Sequence, residues 1–427
     1  MNQFKKYILL WLTQSVSQLG SAMTGFSLTL WAYSLAQTPM TFSLMVFCSH
    51  MPYVLVSLFA GAFVDCHNKK SIMLVSDSLA AVCTMIMLIL SLTGRLLLWH
   101  IYVVNGVIGV MNAFQQPASA VAIGKIVPKE KMSNVSGMNS FSGNLVMVLS
   151  PVLAASVFAA GGLGTVLLID LLSFLGAFMV LLMIHIPEGT VSAQQAREKV
   201  SAFAGAKEGY DFLLRQNGLL SVMLTMALIN FFSRLTYENV LSPMILARSG
   251  NNSLILGMVN TMMGVGGIIG GLIVSVMKPC KNSVRMMYAS AALSFLLGDF
   301  LMAIGRNCFV WCIAGLAASL PIPFIMAGNN VIMYSRVPQE MQGRVFAVRN
   351  AIQFGTVPVG ILLGGILATY IFEPFMCSDS ALVGLLGALV GTGAGSGMAL
   401  MFLCTSISGF VVSCAAYHNR NIRALNQ

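Results

Sequence analysis

Charge is the scarcest property of this sequence. Of 427 residues only 8% are Asp, Glu, Lys or Arg, and just 13 are acidic. A soluble domain carries about 25% charged side chains, so this chain cannot cover a water-facing surface of its size. That excludes a soluble enzyme, a disordered chain and a peripheral protein held by one anchor. No G-x-x-x-x-G-K-[ST] phosphate loop occurs, so the chain does not hydrolyse ATP itself. No H-E-x-x-H occurs and the five histidines lie far apart, which argues against a zinc membrane protease. Nine cysteines are scattered without a paired set. Cys308 and Cys312 sit one helical turn apart but lack the histidine or second pair that zinc requires. They read as apolar packing thiols. Neither a metal nor a cofactor is expected, and the chain does not read as an enzyme.

What the sequence has is apolar length. Hydrophobic residues make up 57%, and the mean hydropathy is +0.84. Apolar runs fall near 7–33, 42–64, 72–93, 98–121, 134–159, 163–186, 218–246, 253–277, 284–304, 308–334, 348–371 and 381–416. Each matches the roughly 20 residues a helix needs to cross a bilayer. Alternating ten-residue strands of a membrane barrel are absent. The expectation is an all-α polytopic membrane protein with twelve transmembrane helices. The net charge of +10 is explained by where the cations sit. Nineteen lysines and arginines fall in alternate gaps, only Arg95, Arg248 and Arg306 in the others, and Arg234 inside a run. By the positive-inside rule the basic gaps are cytoplasmic, and so are both termini. The basic loops would meet anionic lipid head groups, and no nucleic acid is needed as a partner. The run after Lys5 and Lys6 is a first span rather than a signal peptide, since it is long and has no small-residue cleavage site.

The chain repeats itself. Val127-Pro128-Lys129-Glu130 follows the fourth run, and Val337-Pro338-Gln339-Glu340 follows the tenth, 210 residues later. The same offset carries Gly61 onto Gly271 and Asp65 onto Ser275. Two loops agreeing at half the chain length predict two parallel six-helix halves. The expected organisation is an N-terminal half over 1–186, a cytoplasmic linker over 187–217 and a C-terminal half over 218–427. The linker's second part places Phe203, Tyr210, Leu213 and Leu214 near one face, the pattern of an amphipathic helix on the membrane interface. Substrates of folds with such halves bind near the midplane between them.

The loop after the second run holds Gly61, Asp65, Lys69 and Lys70. These match the G-x-x-x-D-[RK]-x-G-[RK]-[RK] signature, and here the chain resembles the major facilitator superfamily. Cys66 stands where a basic residue is usual and Asn68 where glycine is usual; Asn tolerates a left-handed backbone nearly as well. The resemblance implies the major facilitator fold and a conformational gating role for this loop, to which Asp77 is assigned as an interfacial partner. A second stretch, Pro338, Glu340, Gly343, Arg344, Val345 and Phe346, is similar to the loop between spans ten and eleven of macrolide-efflux (Mef-like) and siderophore-export proteins. Lys207 to Leu219 and Asp170 in I-D-x-x-S-F extend that likeness along nearly the whole chain. Ser150-Pro151-Val152-Leu153-Ala154-Ala155 occupies the place of the family's antiporter motif, with Ser and Ala in place of its glycines.

Ionisable residues inside spans are functional candidates, because burying a charge in hydrocarbon costs about 3 kcal/mol or more. Asp170 has apolar sequence neighbours and no local cation. Glu238 has Arg234 one turn before it. Asp170, Glu238 and Arg234 are therefore the proton-coupling candidates, with Asp170 the better suited. Asp299, near the end of its run, reads as a wetted residue. Gln14, Gln18, Asn112, Gln115, Asn329 and Asn330 are candidates to line a substrate cavity, or to glue helices together. The expectation is a secondary active transporter in the cytoplasmic membrane that exchanges protons for a small molecule and acts as a monomer. The resemblance implies export of a bulky amphipathic drug such as a macrolide, hence multidrug efflux and antibiotic resistance. A siderophore or a self-made peptide or antibiotic is the alternative cargo. A transport-dead sensor and a lipid-modifying membrane enzyme are the readings from other classes.

Overall fold

The computed structural model describes residues 3–36, 38–127, 132–184, 210–277, 282–378 and 380–426. Among them every regular element is a helix. The first four spans are Gln3–Ala36, Pro39–Cys66, Lys69–Leu92 and Leu98–Ile126. The fifth and sixth share one helical run, Met132–Met183, broken at Gly162, whose φ of 70° suits glycine alone. At 1.5 Å per residue that run would measure roughly 78 Å, more than twice a hydrocarbon core of about 30 Å, so it makes two crossings. The seventh span is Asn217–Thr236, continued after a turn by Leu241–Arg248. The eighth is Ser253–Val276. The ninth runs through a π-helical turn, Ser294–Asp299, between Ser283–Leu293 and Phe300–Ile304. The tenth joins Cys308–Ser319 to Ile322–Arg336, and the eleventh runs from Gln339–Leu367 through a second π turn to Glu373–Met376.

The last apolar run, expected as one span over 381–416, is two helices. Ala381–Val390 is short, and the twelfth span is Ser396–His418. Between them Gly391, Gly393 and Gly395 have φ of 88°, 92° and 85°, a backbone that side-chain-bearing residues rarely adopt. Nine stretches of the described residues are long and apolar enough to cross a membrane. One of these, Phe141–Met183, holds two crossings. The first and fourth helices, which carry the Gln and Asn stripes, complete twelve. This is an all-α polytopic protein with the major facilitator fold.

The chain forms two compact units, Met1–Ala36 with Leu44–Lys199, and Gln37–Ser43 with Val200–Gln427. The sequence repeat has a structural counterpart in each. Val127 ends the fourth span at φ −97°, ψ 131°, and Val337 ends the tenth at φ −99°, ψ 120°. Both are buried in the core of their own unit, as are Val135 and Val345, again 210 apart. The expected linker falls largely outside the described residues, including Phe203. Residues 210–215 are helical; Leu213 is buried in the second unit's core, and Tyr210 and Leu214 are exposed.

Small residues set the packing. Ala154 and Ala155, in the substituted antiporter motif, are fully buried, Ala154 in one cluster with Met23 and Val166. A Cβ on Gly20 would come within 3.1 Å of the Asp170 Cα, so the first and sixth spans touch backbone to backbone there. In the second unit, Gly360 and Gly364 lie one turn apart on the eleventh span and face the seventh, so closely that a Cβ would crowd Arg234 and Phe231 at the first and Leu235 and Asn239 at the second. The Asn239 Nδ2 donates to the Ile361 carbonyl at 2.6 Å and to Ser43 Oγ at 2.7 Å. At the end of this unit away from the basic loops, Arg248 donates to the carbonyls of Ala303 (3.3 Å) and Val390 (2.6 Å). Arg306 donates to that of Ala388 at 3.0 Å. The glycine loop lies against the Arg248 side chain, and Glu373 accepts from the Met398 N–H at 2.9 Å.

Candidate functional site

Asp170 lies eight residues beyond the Gly162 break, deep in the sixth span, and is only 4% exposed. Its partners are hydroxyls. Ser21 Oγ donates to Oδ1 at 3.0 Å and Thr24 Oγ1 to Oδ2 at 2.9 Å, both from the first span. Thr84 of the third span lies beside the same carboxyl group, its Oγ1 donating to the Ala80 carbonyl at 3.2 Å. No cation joins them among the described residues. A hydroxyl can donate to a carboxylate or accept from a carboxylic acid, so this cage serves the group in both protonation states. Ser21 was legible in the sequence as part of a polar stripe on the first span. Thr24 extends that stripe by one turn, whereas nothing in the sequence singles out Thr84.

Asp77 corrects an expectation. It does not pair with Lys70, whose Nζ instead donates to the Leu182 carbonyl at 2.7 Å. Asp77 turns inward, where Gln115 Nε2 of the fourth span donates to its Oδ1 at 2.6 Å and the Gln14 side chain of the first span lies beside the same carboxyl group. Geometry explains the difference: Asp77 is two turns into its helix, where an apolar surround makes two neutral amides the available partners. The cluster leaves Gln14 Nε2 and Gln115 Oε1 buried without a hydrogen bond. Two residues expected to line a substrate cavity thus meet a carboxylate expected to partner the loop.

Asp299 is a second correction. The sequence suggests a wetted position, yet the residue is 1% exposed. The π turn rotates it into the second unit, where Tyr237 OH donates to Oδ1 at 2.8 Å and Thr405 Oγ1 to Oδ2 at 2.7 Å. Neither Tyr237 nor Thr405 stands out in the sequence, because hydroxyls are common in spans and their convergence is a tertiary fact.

The remaining residues are placed as follows. Arg234 and Glu238 form an ion pair, each about one third exposed, at the turn that interrupts the seventh span. Asn330 Oδ1 accepts from Arg349 at 3.4 Å. Asn329 Oδ1 is buried without a partner, and Gln18 and Asn112 are exposed. Lys69 is buried at the start of the third span, while Gly61 and Asp65 lie in the last turns of the second. Asn68 is not left-handed: at φ −63°, ψ 118° it caps the third span, its side chain accepting from Ser71 N–H at 3.0 Å. Pro338 begins the eleventh span, and Glu340, Gly343 and Arg344 lie in its first two turns. No group of three or more metal-ligating side chains occurs among the described residues.

Residues 3–395 match the family described as transmembrane secretion effector. The chain belongs to that family, a branch of the major facilitator superfamily. Macrolide efflux protein A of Streptococcus pyogenes is 23% identical over 85% of this chain and 89% of the relative. The staphyloferrin A transporter of Staphylococcus aureus is 23% identical over 86% and 88%. Among solved structures, a bacterial homologue of the iron transporter ferroportin in its inward-facing state aligns with a TM-score of 0.69. That alignment covers 98% of this chain and 100% of the other at 14% identity, so it speaks to the fold alone. This member of the family is a multi-pass membrane transporter of small molecules and not an enzyme.

Proposed function

We propose that the chain is a proton-coupled antiporter that exports a bulky amphipathic drug such as a macrolide. It works as a monomer in the cytoplasmic membrane, with both termini in the cytoplasm. The observation that carries the reading is Asp170: a buried carboxyl group with hydroxyl partners and no cation. Burying a lone carboxylate is costly, and a proton removes that cost. Asp170 therefore couples proton entry to the return of the empty carrier, and each charge moved gains about 2.3 kcal/mol per 100 mV of membrane potential. Glu238 is the weaker coupling candidate because Arg234 already compensates its charge. The similarity to macrolide efflux protein A supports a macrolide cargo. The equal similarity to the staphyloferrin A transporter supports the second reading, a siderophore or a self-made peptide or antibiotic.

The test is erythromycin accumulation in an efflux-deficient host, with and without the protein, before and after a protonophore. Accumulation should fall when the protein is present and return to baseline when the gradient collapses. An unchanged level with well-expressed protein would exclude the macrolide and favour the second reading.

A further inference from the structure

Asp170 has a counterpart in the same unit. Asp77 and Thr84 lie on one face of the third span, seven residues apart, and Thr84 stands beside Asp170. The first span carries the same spacing: Gln14 stands beside Asp77, and Ser21, seven residues on, donates to Asp170. Seven residues are two helical turns, about 10.5 Å along the axis. The two carboxyl groups therefore sit at two levels between the same pair of helices. Asp77 is eight residues from the third span's start at Lys69 and Thr84 is eight from its end at Leu92, so the levels divide the crossing into rough thirds. On the first span Ser17 and Gln18 occupy the intervening turn on that same face.

Among the described residues neither carboxyl group has a counter-charge. The side chains facing Asp77 are the amides of Gln14 and Gln115, and those facing Asp170 are the hydroxyls of Ser21, Thr24 and Thr84. Lys70, the nearest cation on the same helix as Asp77, is bonded to a main-chain carbonyl. The Asp77 level also holds two buried amide atoms without partners, Gln14 Nε2 and Gln115 Oε1. One is a donor and the other an acceptor, the pair of functions a water molecule on a proton path uses.

We propose that Asp77 and Asp170 are two stations of one proton path through the first unit, joined by the Ser17, Gln18 and Ser21 side chains and by water between them. A proton reaching Asp170 from the side opposite the basic loops converts carboxylate to carboxylic acid. Its onward transfer breaks that O–H bond and re-forms one on Asp77, which releases the proton toward the basic side. Only O–H bonds change, and each carboxyl group returns to its starting form. This deepens the antiport reading and rests on it.

The experiment uses the full chain in proteoliposomes with erythromycin as the probe and a pH dye inside. Two quantities are read for wild type, Asp170→Asn, Asp77→Asn and Asp77→Glu: protons moved per erythromycin, and erythromycin–erythromycin exchange without a gradient. In Asp77→Asn, proton movement should fall about tenfold or more while exchange stays within about twofold of wild type, and Asp77→Glu should restore coupling. Asp77→Asn that couples like wild type, while Asp170→Asn does not, would overturn the path and leave the antiport reading standing. Loss of exchange together with coupling in folded Asp77→Asn would make the residue a substrate ligand and also overturn the path. Wild type that moves erythromycin without protons would sink both.

Discussion

A carboxyl group held by hydroxyls and one held by an arginine respond differently to a proton. Protonating Glu238 strands the Arg234 charge, whereas protonating Asp170 only reverses the sense of one of its two bonds to Ser21 and Thr24. Asp170→Asn should therefore fold and exchange substrate but fail to concentrate it uphill. Unchanged uphill transport would remove Asp170 from coupling. Asp299 permits a contrast. Asp299→Leu leaves the Tyr237 hydroxyl without its acceptor and Thr405 with the Phe402 carbonyl alone, and should lower stability by about 1–3 kcal/mol. Asp299→Asn, which keeps an acceptor, should cost less. Thermal unfolding in detergent compares the two, and equal losses would contradict the hydrogen-bonded role. At this scale the acids were legible in the sequence, because a charge in an apolar run is conspicuous. Their partners were legible only in part: Gln115 stood out as an amide in a span, whereas Thr84, Thr405 and Tyr237 are ordinary residues until the fold brings them across. Asp77 and Asp299 went astray for the same reason: distance from a helix end does not tell which way a side chain turns.

Among elements, the crossing of the seventh and eleventh spans is the tightest test of packing. A Cβ on Gly364 would come within 2.9 Å of Asn239 Nδ2 and also press on the Leu235 carbonyl. Gly364→Val should destabilise the protein by about 1–3 kcal/mol through overpacking. Gly267→Val, where a side chain would meet open space, should be nearly neutral in the same thermal measurement. A similar loss at both sites would discount the close approach. Apolar periodicity located the helices well, because each crossing needs its own length of hydrocarbon-compatible chain. It missed the division of residues 381–416, where small glycines do not interrupt hydropathy yet their positive φ ends the helix. It likewise missed both π turns, which follow from packing and leave no compositional trace.

For the molecule as a whole, the asymmetry of basic residues fixes a direction. If the basic loops face the cytoplasm, Cys377, exposed at the end of the eleventh span, faces outward. In a variant keeping Cys377 as its sole cysteine, an impermeant maleimide should label intact cells. A tag at the C-terminus should become accessible only after permeabilisation, and the reverse pattern would invert the topology. The repeat was legible because both halves use the same valine to end a span, Val127 in one and Val337 in the other, each needed in its own core. The capping residues Asn68 and Asn282, at the starts of the third and ninth spans, depart from the repeat's offset by four residues, so the repeat is looser there. One feature of the second half bears on where the protein works. Arg248 and Arg306 clasp that end of the unit through the carbonyls of Ala303, Val390 and Ala388. Main-chain carbonyls neither gain nor lose protons over the pH range cells meet. Acidity outside the cell would therefore leave these three bonds in place, and the group at that end with a proton to gain is Glu373, which accepts from the Met398 N–H beside the glycine loop.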